Sequence, residues 1–492
     1  MSFIFVPAYL GLIGAEGYGF ISLYTTLVAL FALLDFGLAL TANRETARYA
    51  ARPDERSKAR AMLRTFEAIY WVIALVIGAA IALMAGFVVN SWITLHQIPV
   101  DQAQRGVQLM GVVALLRWPV SLYIGALQGM QRQVTVNLIT SLASTAAGAG
   151  AILVLWLVAP RVDLFVAWQV LVFAIQIVAL RIAAWRGLAL AGDRPRVRFS
   201  VLRESAGFSL GITGITLLSL VLTQLDKLLL TRMLSLKEFG YYSIASSIAG
   251  LLTTAGSAVQ TAAFPALTET VEKGDPESES AIYHGSSRML AVLVMPAAIT
   301  LALFAPQLLA VYLHDGEVAA STQLLLSLLA LGNMFIALEF MPLSLQLAHG
   351  WTSLSIWKNV VAVAIYVPLL LFLVPRYGAA GAALSWLALT SGYLFLEVPV
   401  MHRRLMKDAK WHWYFSDLGK PMAIALGVIG LAWVILPAGL SPWGMFAAIA
   451  LTGAIAQGLC LLLLPEVLKQ VQDRLRRLAT KPPLPSTKEG AE

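Results

Sequence analysis

The stretch Leu217–Leu252, LLSLVLTQLDKLLLTRMLSLKEFGYYSIASSIAGLL, decides the fold. An apolar helix carries an Asp226–Lys227 pair close to its end. A short amphipathic link follows over Thr231–Phe239, and a second apolar helix opens with Gly240-Tyr241-Tyr242-Ser243. Opposite charges in an apolar helix cost several kcal/mol unless they pair or meet water. The pair reads either as part of a functional cavity, with Asp226 the partner of Lys227, or as an interfacial ion pair with Lys227 snorkelling outward. A polar stripe favours the cavity. Ser205, Ser209, Thr213, Thr216, Ser219, Thr223 and Asp226 recur at intervals of three and four, so they share one helix face. The next helix has a stripe of its own: Ser243, Ser246, Ser247, Gly250, Thr253, Thr254, Ser257 and Thr261. Small hydroxyl residues also allow close helix packing in lipid, so this second stripe fits a wall or a contact equally.

Outward from that stretch, the composition is that of a bilayer protein. The chain has 492 residues, 59% of them hydrophobic and 13% charged. A soluble domain carries about 25% charged residues. The expected class is an all-α polytopic membrane protein. Apolar runs of about 20 residues, enough for a bilayer core, fall near 20–42, 66–89, 106–127, 136–159, 164–184, 205–230, 240–264, 289–312, 322–346, 357–375, 379–400, 421–440 and 443–464. That is thirteen full spans, with a partial one at 3–12. Met1–Leu12 has no charged n-region and reads as no cleavable signal peptide. The single cysteine, Cys460, lies in an apolar run, which excludes a disulfide framework or thiolate metal site and reads as buried filler.

Lys and Arg set the expected orientation. They concentrate in the links at 43–65, 128–135, 181–203, 265–288, 347–358 and 401–420 and in the tail after 465. The alternate links hold only Arg105, Arg161, Arg232, Lys237 and Arg376, while Arg117 and Lys227 fall within spans. The basic links and the C-terminus are therefore expected on the cytoplasmic side. The net charge of +8 is mostly this topology signal, not a nucleic-acid footprint. The tail, TKPPLPSTKEGAE, is Pro-rich and polar and reads as disordered.

The halves repeat. A shift of 221 residues pairs Gly19 with Gly240, Ser22 with Ser243, Thr25 with Ser246, Thr26 with Ser247, Ala29 with Gly250 and Leu30 with Leu251. Both copies run the same way across the membrane, as parallel repeats do. The expected organisation is an N-lobe at 1–200, a C-lobe at 201–405, two further helices at 406–465 and a cytoplasmic tail at 466–492. The N-lobe is one helix short of its partner: only the end of its first helix is present, at Phe3–Leu12, as in a chain whose start is truncated.

Five segments together resemble a known family. They are the pattern P-x-x-L-x-x-x-G-x-x-G-Y-G at Pro7–Gly19, LLDFGLALTANRETAR at 33–48, ALQGMQRQVTVN at 126–137, QLDKLLLTRMLSLKEFGYYSIA at 224–245 and AAFPALTE at 262–269. Their order and spacing are similar to the polysaccharide and O-antigen flippase branch of the multidrug/oligosaccharidyl-lipid/polysaccharide exporter superfamily. The resemblance covers residues 3 to about 400. It implies two six-helix lobes around a central cavity plus two C-terminal helices. It also implies an inner-membrane protein that flips undecaprenyl-diphosphate-linked oligosaccharide repeat units to the outer leaflet by alternating access. The missing first helix is the departure from the family pattern.

With that substrate in view, the charged residues within spans acquire expected roles. A diphosphate kept from water needs cations. Arg117, two residues before Pro119, is the expected N-lobe ligand, with pairing to Asp35 as the alternative; Lys227 is its C-lobe counterpart, and Arg232 stands at the outer mouth. Gln224, Thr223, Asp226 and Asn333 are placed to hydrogen-bond sugars. The span acids Asp35, Asp226, Glu339 and Glu397 are candidates for ion coupling, Glu339 being mid-span and Glu397 nearer an interface. Arg44, Arg48, Arg52, Arg56 and Arg60 recur every four residues; Arg44 and Arg48 would capture the headgroup at the cytoplasmic leaflet, with plain positive-inside topology as the alternative. Trp92, Trp185, Trp351, Trp357, Trp411, Trp413 and Trp443 read as interface anchors.

Neither a P-loop nor a metal-ligand motif is present, and the six His residues are scattered along the chain, so no cofactor, metal site or enzymatic activity is expected. Beyond the lipid-linked substrate and membrane lipids, a polysaccharide polymerase and chain-length machinery are the expected partners. The rival functions are a cation-coupled multidrug exporter of the same superfamily, a membrane glycan polymerase or ligase, and a non-transporting scaffold of polysaccharide assembly. The polymerase should carry a long outer loop with Arg and His, and the sequence has none.

Overall fold

A computed structural model describes residues 3–33, 38–50, 56–188, 224, 226–407, 409–437 and 439–463. Asp35, Thr223 and most of the first hydroxyl stripe lie outside these residues, as does the tail. The helices are α1 (Val6–Leu33), α2 (Leu38–Ala50), α3 (Arg56–Leu83), α4 (Val100–Gly129), α5 (Gln133–Leu157), α6 (Val162–Gly187), α7 (Leu236–Lys273), α8 (Pro276–Leu303), α9 (Ala305–Leu313), α10 (Gly316–Ala348), α11 (Thr352–Gly392), α12 (Val398–Leu405), α13 (Ala409–His412), α14 (Lys420–Ile435) and α15 (Pro442–Leu463). Among the described residues, nine helical runs are long and apolar enough to cross a membrane. Leu83, Val134, Leu396 and Val434 are between 71% and 85% exposed, as side chains facing lipid rather than water would be. The α7 helix is not among the nine, because its Ser and Thr residues lower its hydropathy.

The described residues form two compact units. One comprises Met1–Ala245, Tyr312–Leu325 and Asn359–Ser385. Its core joins α3, α4 and α6 through Phe66, Tyr70, Leu122, Tyr123 and Leu180, each fully buried. Within it, α1 breaks at Gly14, whose φ of 68° is the left-handed conformation that suits glycine. The break ends the short apolar segment expected at 3–12 and starts the next helix. The α11 run breaks likewise at Gly378, with φ 55°. A Cβ on Gly381 would fall 2.3 Å from the carbonyl oxygen of Leu373. Eight residues of unbroken helix would separate those positions by about 12 Å. The chain therefore turns back on itself here, at the gap expected between the spans 357–375 and 379–400.

The repeat appears in this unit as a contact that is its own image. A Cβ on Gly19 would lie 1.9 Å from the Leu236 carbonyl oxygen, and one on Gly240 would lie 2.6 Å from that of Ala15. The shift of 221 that relates Gly19 to Gly240 also relates Ala15 to Leu236. Reciprocity of this kind is what a two-fold relation between repeats requires. Beside the crossing, the N–H groups of His96, Gln97 and Ile98 donate to the buried Glu16 carboxylate at 2.8, 2.7 and 3.4 Å. The Leu236 N–H donates to the Thr94 carbonyl at 3.3 Å.

The second unit comprises Ser246–Val311, Leu326–Lys358 and Trp386–Glu492. Here α8 is the hub. Asp275 caps its start by accepting from the Ser278 N–H at 3.1 Å, and Ser278 beside it holds that carboxyl below the usual carboxylate range. Further along, Ile299 meets Ala425 and Ile429 of α14 and Ile449 and Ala456 of α15 in a buried cluster. The last two helices are thus packed onto α8, and Cys460 is buried against Val292 as filler.

Candidate functional site

Arg117 sits in the middle of α4, which runs without interruption through Pro119. Its guanidinium carbon lies 4.6 Å from the centroid of the Phe173 ring. Around it is a cavity of about 670 Å³, lined also by Tyr24, Thr25, Ser144, Thr145 and Gln169. Among the described residues no carboxylate stands beside the guanidinium. The alternative partner Asp35 lies outside them. The wall is otherwise satisfied: Gln169 donates to the Ala147 carbonyl at 2.9 Å and Tyr9 to that of Gly148 at 2.8 Å. An apolar, hydroxyl-flecked pocket holding one cation suits the anionic head of an amphiphile.

The two members of the Asp226–Lys227 pair sit in different surroundings. The Asp226 carboxylate accepts from the Tyr242 hydroxyl at 3.4 Å, and its other oxygen has no hydrogen-bond partner among the described residues. Asp226 and Lys227 are adjacent helix positions pointing about 100° apart, and the Lys227 charge acts on the carboxylate without a direct hydrogen-bonded pair. Asp226 is buried while Lys227 is half-buried. Gln224 is buried with its amide oxygen also unpartnered, Arg232 is exposed, and Lys227 does not line the Arg117 cavity. The Asn333 amide oxygen accepts from the Trp386 indole at 3.0 Å. Arg44 and Arg48 are exposed and stand 3.9 and 3.7 Å from Glu45. They belong to α2, whereas Arg60 belongs to α3, so the five arginines do not share one described helix. The second hydroxyl stripe is open: none of Ser243, Ser246, Ser247, Gly250, Thr253, Thr254, Ser257 and Thr261 is buried. Thr253 and Thr254 turn back on the Gly250 carbonyl at 2.9 and 3.0 Å. Among the described residues, no atom beyond its own stretch of helix lies within 4 Å of a Cβ placed on Gly250.

In the second unit two expected coupling acids are brought together by a residue the sequence reading had assigned to a link. Lys358 is ion-paired with Glu339 and lies 3.1 Å from Glu397, all three side chains being less than a tenth exposed. Gln346 donates to the other Glu397 oxygen at 2.9 Å and accepts from Ser355 at 3.1 Å. The Lys358 ammonium also stands 4.8 Å from the Tyr393 ring centroid. Glu397, expected nearer an interface, is 6% exposed within the protein. A π-helical turn at Tyr393–Glu397 carries it, a local insertion common at functional sites. Two carboxylates around one ammonium leave an excess negative charge, which a buried site tolerates only with a bound proton or cation.

Other residues escaped the sequence reading. Glu67 is buried among Tyr123, Arg181 and Arg64, which donate to it at 2.6, 2.5 and 2.9 Å. Its position at the head of an apolar run was the available signal. His284 also converges with His412 and Asp417, which lie more than 120 residues further along the chain. Trp413 is no interface anchor: it is fully buried and donates to Ser287 at 3.1 Å, whereas Trp357, Trp411 and Trp443 are between 61% and 67% exposed, as anchors would be.

This is the fold of a multi-pass helical transporter. The chain superposes on an inward-facing multidrug resistance MATE family transporter of the MOP superfamily with TM-score 0.68 at 12% identity, covering 82% of this chain and 94% of that one. It superposes on the lipid II flippase MurJ with TM-score 0.61 at 12% identity, covering 90% and 97%. Residues 12–316 match the polysaccharide biosynthesis protein family, and the chain belongs to that family. It is also 23% identical over 380 residues to a putative O-antigen transporter of Shigella flexneri, across 76% of this chain and 87% of that protein.

Proposed function

We propose that this protein flips a lipid-linked oligosaccharide across the bacterial inner membrane by alternating access. The observation that carries the reading is Arg117, a cation without a carboxylate partner among the described residues, facing a cavity in a member of the polysaccharide biosynthesis family. The substrate is an undecaprenyl-diphosphate-linked repeat unit. Arg117 neutralises the diphosphate, with Lys227 as the second cation and Arg232 at the outer mouth. Gln224, Asp226, Thr223 and Asn333 meet the sugar, and the lipid tail stays in the bilayer. Residues 1–200 and 201–405 act as the two lobes, with the basic links and the 466–492 tail on the cytoplasmic side. Arg44 and Arg48 gather headgroups there. Polymerase and chain-length proteins are the partners that consume the product.

The Glu339–Lys358–Glu397 triad supports coupling to a proton or cation, with Asp226 and Asp35 as further candidates. The test is flipping of a fluorescent undecaprenyl-diphosphate oligosaccharide in proteoliposomes. Wild type should flip and Arg117→Ala should lose most of the rate. No flipping by wild type, together with ion-driven dye export, would move the assignment to multidrug export.

A further inference from the structure

His284 stands on α8, His412 ends α13, and Asp417 lies in the π-helical turn Trp413–Gly419. One ligand atom from each lies within 4.8 Å of the others. The π turn is the reason two of them meet. Residues five apart are turned about 140° from one another in an α-helix, whereas a π-helix bonds i to i+5 and brings them together. His284 Nδ1 is in hydrogen-bond contact with Asp417 Oδ2, and His412 Nε2 lies 3.7 Å from Oδ1. Asp417 is wholly buried, yet its Oδ1 has no hydrogen-bond partner among the described residues. Arg288 Nε approaches it at 3.3 Å but off hydrogen-bond geometry.

The surroundings are braced. Trp413 is fixed to Ser287, and the Tyr283 hydroxyl and His402 Nε2 share a hydrogen bond at 2.9 Å. The His412 side chain is 55% exposed and gives an entry path.

We propose that His284, His412 and Asp417 form a binding site for a divalent transition metal of the zinc or cobalt type. Two imidazoles and one carboxylate, with a fourth position left for water, suit such a borderline ion better than magnesium or calcium, which prefer oxygen ligands. The buried Oδ1, ion-paired with Arg288 but without a hydrogen bond among the described residues, is the acceptor that an ion would satisfy. Arg288 and His412 approach the same Oδ1, at 3.3 and 3.7 Å, so a bound ion would share that oxygen with the guanidinium. Bound metal would tie α8 to the segment that leads into α14, and so would fasten the two C-terminal helices.

The test uses the full-length protein in detergent, with its affinity tag removed and metals stripped by chelator. Cobalt(II) is titrated and followed by its visible d–d absorption, zinc(II) by competition, and each by the shift in melting temperature. Wild type should bind one equivalent of cobalt, release it to zinc and melt higher when loaded. His412→Ala, at a largely exposed position, should leave the metal-free melting temperature unchanged and weaken cobalt binding by about tenfold or more. His412→Gln is the second variant should alanine disturb the fold. Absence of saturable binding by wild type, or unchanged affinity in the His412 variant, overturns the site. The readout does not depend on transport, so it stands apart from the flippase assignment.

Discussion

Lys358 is held by two carboxylates, and its removal would leave both without a counter-charge. Lys358→Met is expected to cost about 3–5 kcal/mol, the range for breaking a buried ion pair. Adding Glu397→Gln should recover much of that loss, because it removes one of the stranded charges. Thermal melting of the single and double variants checks both. Arg117 should behave differently. It has a ring beneath it and no acid beside it among the described residues. Arg117→Ala should therefore change the melting temperature little while lowering flipping by at least about tenfold, and Arg117→Lys should restore part of it by returning the charge without the bidentate fork. At this scale the sequence was half legible. Arg117 and Glu339 stand out as charges inside apolar runs. Lys358 did not, because it directly precedes such a run and a cation there looks like a topology signal. Burial was the missing quantity, and burial depends on α10 and the π turn, which are distant in sequence.

The α1–α7 crossing shows what an element-scale reading can recover. A shift of 221 residues paired Gly19 with Gly240, and the structure places those two glycines against each other's helices. Gly19→Ala should be strongly destabilising, because the new Cβ would meet the Leu236 carbonyl and only backbone movement relieves it. Gly250→Ala is the control: nothing lies within 4 Å, and replacing a mid-helix glycine should stabilise by about 0.5–1 kcal/mol. Comparison of the two melting temperatures decides the point. The π turns at Tyr393–Glu397 and Trp413–Gly419 were not legible, since a period of 3.6 residues was assumed throughout. Both of the charged clusters in the second unit depend on them. The error in placing Trp413 has the same origin: a tryptophan three residues after Lys410 near a span end matches an anchor until the local twist turns it inward.

Across the whole molecule, composition and hydropathy were enough for class. Thirteen apolar runs, a parallel repeat and one-sided basic links describe an all-α polytopic membrane protein, and the superpositions agree with that fold class. On the proposed function, flipping should respond to voltage. Each net negative charge carried outward gains about 2.3 kcal/mol per 100 mV of inside-negative potential, a factor of roughly 50 in the transport equilibrium. Proteoliposomes clamped at different potentials by potassium and valinomycin would measure it. Substrate distribution that ignores potential would mean that the translocated unit crosses electrically neutral.

The turn at Gly378 bears on how the chain is made. Between Lys358 and Glu397 the only charged side chain is Arg376. It is folded back onto its own helix, donating to the Phe372 carbonyl at 2.8 Å with its guanidinium 3.8 Å from the Phe372 ring centroid. So short a connection, carrying a single charge, gives the translocon no long hydrophilic loop to hand across separately. The expected outcome is that the two spans enter the bilayer together as a helical hairpin, the first waiting near the exit site until the second has emerged.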